Sequence, residues 1–362
     1  VTSLATALIF DGPGKPLRPA QIPLPAELAS GSLLVEIELA TLCGSDLHTI
    51  SGQRTEPTPA ILGHEAVGRI VAGSREGADI GDRITWSIAD SCGSCPACTE
   101  HHLPEKCHSL FKYGHASLED GSGLNGCYAS HILLRSGTHI VRIPDALRDA
   151  VVAPVNCALA TAVNAVSHLP PNCRTVLVQG AGLLGIYTCA LLCERDVERI
   201  FCLDVQETRL ARVTAFGGIP LDGSPERYPD SRSQIEAAAP HGVDAVVEMA
   251  GSAGLVPEGV RLLRPGGAYI FVGMVHPGTH LELTGEQIIR KCLTIRGVHN
   301  YSPLHLDGAV AFLEETAGRY PYESLVGPPF PLDELEQAVQ AARTREHFRV
   351  SVRPVKARGV RK

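Results

Sequence analysis

Four cysteines stand within 16 residues as Cys92-x2-Cys95-x2-Cys98-x8-Cys107. Thiolates at such spacing can close a tetrahedral shell around Zn²⁺ and leave no position open, so a metal held there is structural. His101 and His102 lie inside this loop, but four sulfurs suffice, and both read as exposed loop residues. A second set is dispersed: Cys43-Gly-Ser45-Asp46-Leu-His48, then Gly63-His64-Glu65, then Asn156-Cys157. Cys43, His64 and Cys157 could supply three ligands if the fold brings them together. Three protein ligands leave a fourth position for water or substrate, the requirement of a catalytic zinc. Cys127, Cys173, Cys189, Cys193, Cys202 and Cys292 read as packing residues.

The third signal is Val176-Leu-Val-Gln-Gly180-Ala-Gly182-Leu183-Leu184-Gly185. It follows an apolar strand and opens an apolar helix, the context in which G-x-G-x-x-G cradles a dinucleotide. Gly180 permits the tight turn, Gly182 admits a pyrophosphate, and Gly185 lets helix pack on strand. Leu183 and Leu184 complete the turn, and the helix start offers free N–H groups and a positive dipole. Asp204 closes the next strand, 19 residues after Gly185. Its carboxylate suits the hydroxyls of an adenosine ribose and repels a 2′-phosphate, which favours NAD. Arg209 and Arg212 nearby keep NADP as the alternative.

These groups need elements to hold them. The first 160 residues are β-rich and punctuated by turns; in Leu34-Val-Glu-Ile-Glu-Leu39, apolar and acidic residues alternate as in a half-buried strand. From about 172, apolar strands alternate with helix-length segments, with strands expected near 175–179, 199–204, 218–221, 243–248, 268–274 and 293–298. Six strands in that alternation predict a doubly wound parallel sheet, and Pro220 suits the third only at an edge. Asp333-Glu-Leu-Glu336 after Pro331 predicts a helix start, and Arg349–Val352 a closing strand that returns to the first domain.

The chain has 362 residues, 44% hydrophobic and 20% charged, with net charge −7, so two folded domains are expected and a general nucleic-acid surface is not. Only the last ten residues are basic (Arg353, Lys356, Arg358, Arg361, Lys362), read as a solvated tail. The uncharged runs 150–173 and 175–193 are broken by prolines and by the glycine turn, which argues against membrane spans. The opening residues lack the positive region of a secretory signal, and paired cysteines in a long chain point to metal in a reducing compartment, the cytoplasm.

In their order, the CGSDLH, GHE, four-cysteine and GAGLLG elements resemble the zinc-dependent alcohol dehydrogenases of the medium-chain dehydrogenase/reductase superfamily, over roughly residues 5 to 352. The resemblance implies a GroES-like catalytic domain of residues 1–158 and 300–362 and a Rossmann domain of residues 159–299, with the active cleft between them. It implies an enzyme that moves a hydride between an alcohol or carbonyl and NAD(H), with two zinc ions per chain and a homodimeric or homotetrameric assembly. Position by position, Cys43, His64 and Cys157 match the catalytic-zinc ligands, Ser45 and His48 the proton relay, and Asp46 the carboxylate that orients the zinc histidine. Glu65 matches a glutamate near the metal, Thr161 a position beside the nicotinamide, and Arg349 an arginine on the pyrophosphate. One departure is visible: eight residues separate Cys98 from Cys107 where the family usually has seven, so the loop should bulge near His101-His102.

Two other classes compete on the same fold: a non-catalytic NAD-binding protein and a zinc-free reductase of carbon–carbon double bonds. For the substrate, Leu110–His115, Pro154–Cys157 and Gly297–Tyr301 are similar to a subgroup associated with phosphonate metabolism. An anionic substrate requires cations in the site, for which Arg54, Lys112 and His115 are the candidates; a general secondary-alcohol or polyol dehydrogenase is the alternative.

Overall fold

The computed structural model describes residues 3–275 and 279–354. Of the basic tail, Lys356, Arg358, Arg361 and Lys362 lie outside those residues, while Arg353 pairs with Asp149 at 3.2 Å. The chain forms two units, one of Val1–Cys157, Ser302–Ala317 and Tyr322–Lys362, the other of Ala158–Tyr301 and Gly318–Pro321. The expected breaks after 158 and before 300 therefore differ from the observed ones by one and two residues. Gly318–Pro321 also joins the second unit, where Tyr320 stacks on Phe216 and its hydroxyl donates to Glu194.

In the first unit the organising element is the strand Leu33–Thr41, whose Glu36 and Glu38 stay half-exposed between buried Val35, Ile37 and Leu39. It pairs antiparallel with Glu65–Gly73, His131–Leu134 and Arg349–Arg353. Behind it Val35, Ile37, Ile84, Ile132 and the single tryptophan, Trp86, form a buried cluster. Each such aliphatic side chain contributes about 1.5–3 kcal/mol on leaving water, and this anchors the strand ends. Register then determines what meets: Thr41 lies opposite both Glu65 and Ser351. Cys43 leaves the first strand just past Thr41, His64 directly precedes Glu65, and Arg349 opens the third strand. The helix expected at Asp333 begins two residues later, at Leu335, after a tight turn Leu332–Glu334.

The second unit is a six-stranded parallel sheet. In space its strands run Ile219–Asp222, Arg199–Asp204, Thr175–Gln179, Val243–Glu248, Leu263–Phe271 and Thr294–Gly297, or 3-2-1-4-5-6 by chain order. Thr175–Gln179 is buried throughout, as a strand covered on both faces must be. Pro220 sits on the edge strand, where its missing N–H costs no ladder bond. The order reverses between Thr175–Gln179 and Val243–Glu248, the place where a sheet of this type opens a crevice at its carboxyl ends. Among the described residues one helical run, Asp149–Ser167, is long and apolar enough to cross a membrane, and 72% of its apolar window is buried in the fold.

Candidate functional site

Cys43 caps the helix Gly44–Ile50, and Asp46 at its third position reaches back to accept the Cys43 N–H at 2.8 Å. The other oxygen of Asp46 stands 3.5 Å from His64 Nδ1, and the carboxylate also accepts the Tyr128 hydroxyl at 2.8 Å. Tyr128 packs on Gly63, whose φ of +87° and lack of room for a Cβ make glycine necessary before His64. Cys157 lies in a π-type turn, Val155–Leu159, of the kind often found at functional sites. Its neighbour Asn156 donates to the carbonyls of His64 and Trp86 at 3.0 and 2.9 Å, tying that turn to the His64 loop.

The outcome is one cluster: a donor atom each of Cys43, His64, Glu65 and Cys157 lies within 4.8 Å of the others. The Cys43 and Cys157 sulfurs are 4.0 Å apart, against about 3.8 Å for two thiolates on one tetrahedral zinc with ~2.3 Å bonds. The Cys157 thiol donates to Cys43 and, helped by Arg349 and His64, holds the Cys43 thiol well below its ordinary range against burial. The same pairing, with burial, pushes Cys157 well above it. Burial lowers His64, but Asp46 and Cys43 outweigh it and bring the imidazole to about 10. His64 Nδ1 and Asp46 Oδ1 are buried without a hydrogen-bond partner. Two crowded sulfurs and a histidine aimed by a carboxylate form a donor set that fits zinc, with Nε2 as the ligating nitrogen.

Glu65 is fully buried and doubly held: Arg349 donates to both carboxylate oxygens at 2.7 and 2.8 Å, and Thr41 donates at 2.6 Å. Burial still raises its carboxyl to about 7. The partner of Arg349 in the structure is thus a carboxylate of its own unit. The guanidinium is buried against Glu65, with Nη2 3.6 Å from the Cys43 sulfur. Ser45 and His48 are half-buried and three apart on the helix Gly44–Ile50, hence on one face.

The three candidate anion binders fare differently. Arg54 is paired with Glu56 at 2.6 Å. His115 bonds the same carboxylate at 3.0 Å and lies 5.1 Å from the His64 ring, and burial lowers it to about 4. Arg54 is thus neutralised and His115 uncharged at neutral pH, so neither is the free cation expected. Lys112, on the two-residue strand Phe111–Lys112, makes no side-chain hydrogen bond or ion pair among the described residues. Burial first, and then Arg54, lower its pKa, while Cys157, Glu56 and Cys43 oppose them electrostatically.

In the four-cysteine loop, the donor sulfurs of Cys92, Cys95, Cys98 and Cys107 also lie within 4.8 Å of one another. Cys95 is 3.5 Å from Cys98 and 3.9 Å from Cys107. Backbone N–H groups of Cys92 and Ser109 point at the Cys107 sulfur at 3.2 and 3.4 Å, as thiolates require. His102, within the loop, adopts a left-handed conformation with φ +52°.

In the second unit, Gly180 has φ +109° and donates its N–H to Leu203 at 2.7 Å; a Cβ there would meet Ala250 N at 2.9 Å. A Cβ on Gly185 would overlap the Gly180 carbonyl oxygen, whereas one on Gly182 would meet nothing within 4 Å. Gly182 caps the helix Leu183–Cys193, so that open space faces its N-terminus. Asp204 accepts the N–H groups of Ala181 and Gln206 at 2.8 and 2.9 Å, and Arg209 lies 3.6 Å away. Thr161 is half-buried on the helix Ala160–Ser167. Asn156, Tyr128, Glu56 and the Glu65–Arg349 pair were not assigned by sequence reasoning. Only Asn156 carried a signal, its place beside Cys157.

Residues 29–145 match the alcohol dehydrogenase GroES-like domain, and residues 151–351 the glucose dehydrogenase C-terminus. The chain is 29% identical over 325 residues to 5-exo-hydroxycamphor dehydrogenase of Pseudomonas putida, covering 86% of this chain and 89% of that protein. It is 26% identical to the L-threonine 3-dehydrogenase of Proteus mirabilis, covering 91% and 94%. Among solved structures, an alcohol dehydrogenase of Thermotoga maritima superposes with TM-score 0.91 at 28% identity, covering 98% of this chain and 100% of the other.

Proposed function

The chain belongs to the zinc-dependent alcohol dehydrogenases of the medium-chain dehydrogenase/reductase superfamily, and from that premise we propose that it interconverts an alcohol and its carbonyl with NAD rather than NADP, holding two zinc ions per chain. The observation that carries this reading is the convergence of Cys43, His64 and Cys157 from three distant segments onto one point. When bound, zinc supplies Lewis acidity to the substrate oxygen and the nicotinamide supplies the hydride partner. Cys43 and Cys157 as thiolates balance the metal's charge, and Asp46 keeps His64 turned so that Nε2 is free. Ser45 takes the proton of the substrate hydroxyl, and His48, on the same helix face, hands it to solvent. Glu65 is a buried carboxylate held back by Arg349 and Thr41, so it acts on the site through its field. Gly180, Gly182, Leu183, Leu184 and Gly185 seat the pyrophosphate, Asp204 with Arg209 beside it selects the ribose, and Thr161 borders the nicotinamide. Cys92, Cys95, Cys98 and Cys107 take the structural ion.

Metal analysis with NADH absorbance over a panel of alcohols and carbonyls tests the whole reading. Two zinc per chain and NAD-linked turnover are expected, with turnover abolished in Cys43→Ser and His64→Ala. Zinc-free protein, or protein that binds cofactor without turnover of any panel member, would favour the double-bond reductase or the non-catalytic alternative.

Lys112 favours a narrower substrate class. A half-buried ammonium with no ion pair of its own, within the electrostatic reach of Cys157, Glu56 and Cys43, suits an alcohol or aldehyde bearing an anionic group of phosphonate type. Neutral secondary alcohols and polyols are the comparison set. All twelve cysteines are unpaired, which supports a reducing, cytoplasmic location. The fully exposed edge strand Thr294–Gly297 supports a homodimer or homotetramer, measurable by light scattering.

A further inference from the structure

Glu248 closes the strand Val243–Glu248 and is fully buried. No lysine, arginine or histidine pairs with it among the described residues. A buried carboxylate without a cation is costly unless backbone donors satisfy it, and here they do. One oxygen accepts the Gly251 N–H at 2.5 Å and the other the Gly273 N–H at 3.1 Å. The N–H groups of Ala250 and Ser252 add to these. Its main-chain carbonyl takes the N–H groups of Val272 and Gly273, both at 3.0 Å.

One side chain therefore ties together two loops, residues 249–252 after the fourth strand and 272–275 after the fifth. The loops interlock through glycines. A Cβ on Gly273 would stand 2.5 Å from Gly251 N, and one on Gly251 would stand 2.8 Å from Gly273 O. Loop 249–252 also presses on the phosphate turn, since Ala250 N occupies the space a Gly180 Cβ would need. By register Glu248 lies opposite Gln179, the residue before that turn. It therefore stands at the reversal of strand order, on the side of Gly180 away from Asp204. If Asp204 holds the adenosine half of a dinucleotide, the other half falls to the loops that Glu248 ties.

We propose that Glu248 is a positioning residue that pre-forms the seat of the nicotinamide half of the cofactor by pinning loops 249–252 and 272–275 to each other and to the Gly180 turn. The inference rests on the dehydrogenase reading above. Glu248→Gln keeps the shape but sets an NH₂ against inward-pointing N–H groups, so the loops part. An unsatisfied buried donor pair predicts about a ten- to hundredfold loss of NADH affinity. AMP, which needs only the Asp204 side, should bind within about twofold of wild type. KM for NAD should rise with kcat at saturating NAD little changed. Gly273→Ala keeps Glu248 itself but parts the same loops and the N–H groups it holds, and should show the same selective loss, which keeps the test open if Glu248→Gln does not fold. The measurements are equilibrium titrations of NADH and AMP on each full-length variant. Wild-type NADH affinity in a folded variant, or equal weakening of AMP and NADH, would overturn the role of Glu248. A wild-type protein that binds neither ligand would instead remove the dehydrogenase reading on which the role rests.

Discussion

The lack of an ion pair or hydrogen bond is what separates Lys112 from Arg54 and His115 among the described residues. Arg54 is paired with Glu56, and His115 is held neutral by burial, so of the three candidates we take Lys112 as the one left to answer a negative group on a substrate. A charge-assisted contact is worth about 1.5–3 kcal/mol, so Lys112→Ala should raise KM for a hydroxyalkylphosphonate about ten- to a hundredfold and leave a neutral alcohol of similar size unchanged. The pH profile carries the sign. An ammonium is charged below its pKa, and burial lowers that of Lys112 from the 10.5 of a free lysine. Preference for the anionic substrate should therefore hold at neutral pH and fade on the alkaline side below 10.5, with kcat/KM for the neutral substrate showing no matching loss. A preference that is flat in Lys112→Ala and wild type alike would leave the general alcohol dehydrogenase reading. Asp204 makes the complementary case at the cofactor. Asp204→Ser removes the repulsion against a 2′-phosphate and also the acceptor for Ala181 and Gln206. The NAD/NADP ratio of kcat/KM should fall about tenfold or more, at ~1.4 kcal/mol per tenfold, with KM for NAD rising. A native enzyme already faster with NADP would count against Asp204 as the selector.

Elements built from local sequence were legible, and contacts between distant elements were not. The four-cysteine loop could be read because its sulfurs are near in sequence, and they do converge. The G-x-G-x-x-G turn declared itself by strand, turn and helix in order, and Pro220 pointed to an edge. The partner of Arg349 was not legible because it is set by the register of the strand Arg349–Arg353 against Leu33–Thr41, which places it beside Glu65. Nothing local foretells that pairing. Tyr128 and Glu248 were silent for the same reason, since each acts through atoms far away in the chain or through backbone N–H groups that every residue has. The four-cysteine loop yields its own prediction. It has two short helical turns, Pro96–Thr99 and Pro104–Lys106, with little buried apolar surface, so the sulfurs must hold it. Cys95→Ser should remove one zinc and, if the loss is about 2–3 kcal/mol, lower Tm by roughly 4–10 °C. An unchanged Tm with both metals retained would sink that assignment.

At the scale of the whole chain, the chemistry is divided between the two units. Both candidate metal-binding clusters belong to the first, Cys43–His64–Cys157 and Cys92–Cys95–Cys98–Cys107, while the Gly180 turn and Asp204 belong to the second. The clusters also differ in closure. Four sulfurs complete a tetrahedron, whereas two sulfurs and one imidazole leave a position that a small chelator can enter. Graded chelation of the intact protein should therefore take the function apart in a fixed order. The first equivalent of zinc should leave from the three-ligand cluster, abolishing alcohol oxidation while Tm changes little. NADH and AMP should still bind, because the Gly180 turn and Asp204 owe nothing to the metal. The second equivalent should leave only with harsher treatment and should carry the drop in Tm that Cys95→Ser reproduces. Zinc content, turnover, NADH titration and Tm measured on the same samples decide the matter. A fall in Tm with the first equivalent would reverse the roles of the two clusters, and loss of NADH binding in step with zinc would show that the second unit is not independent of the metal.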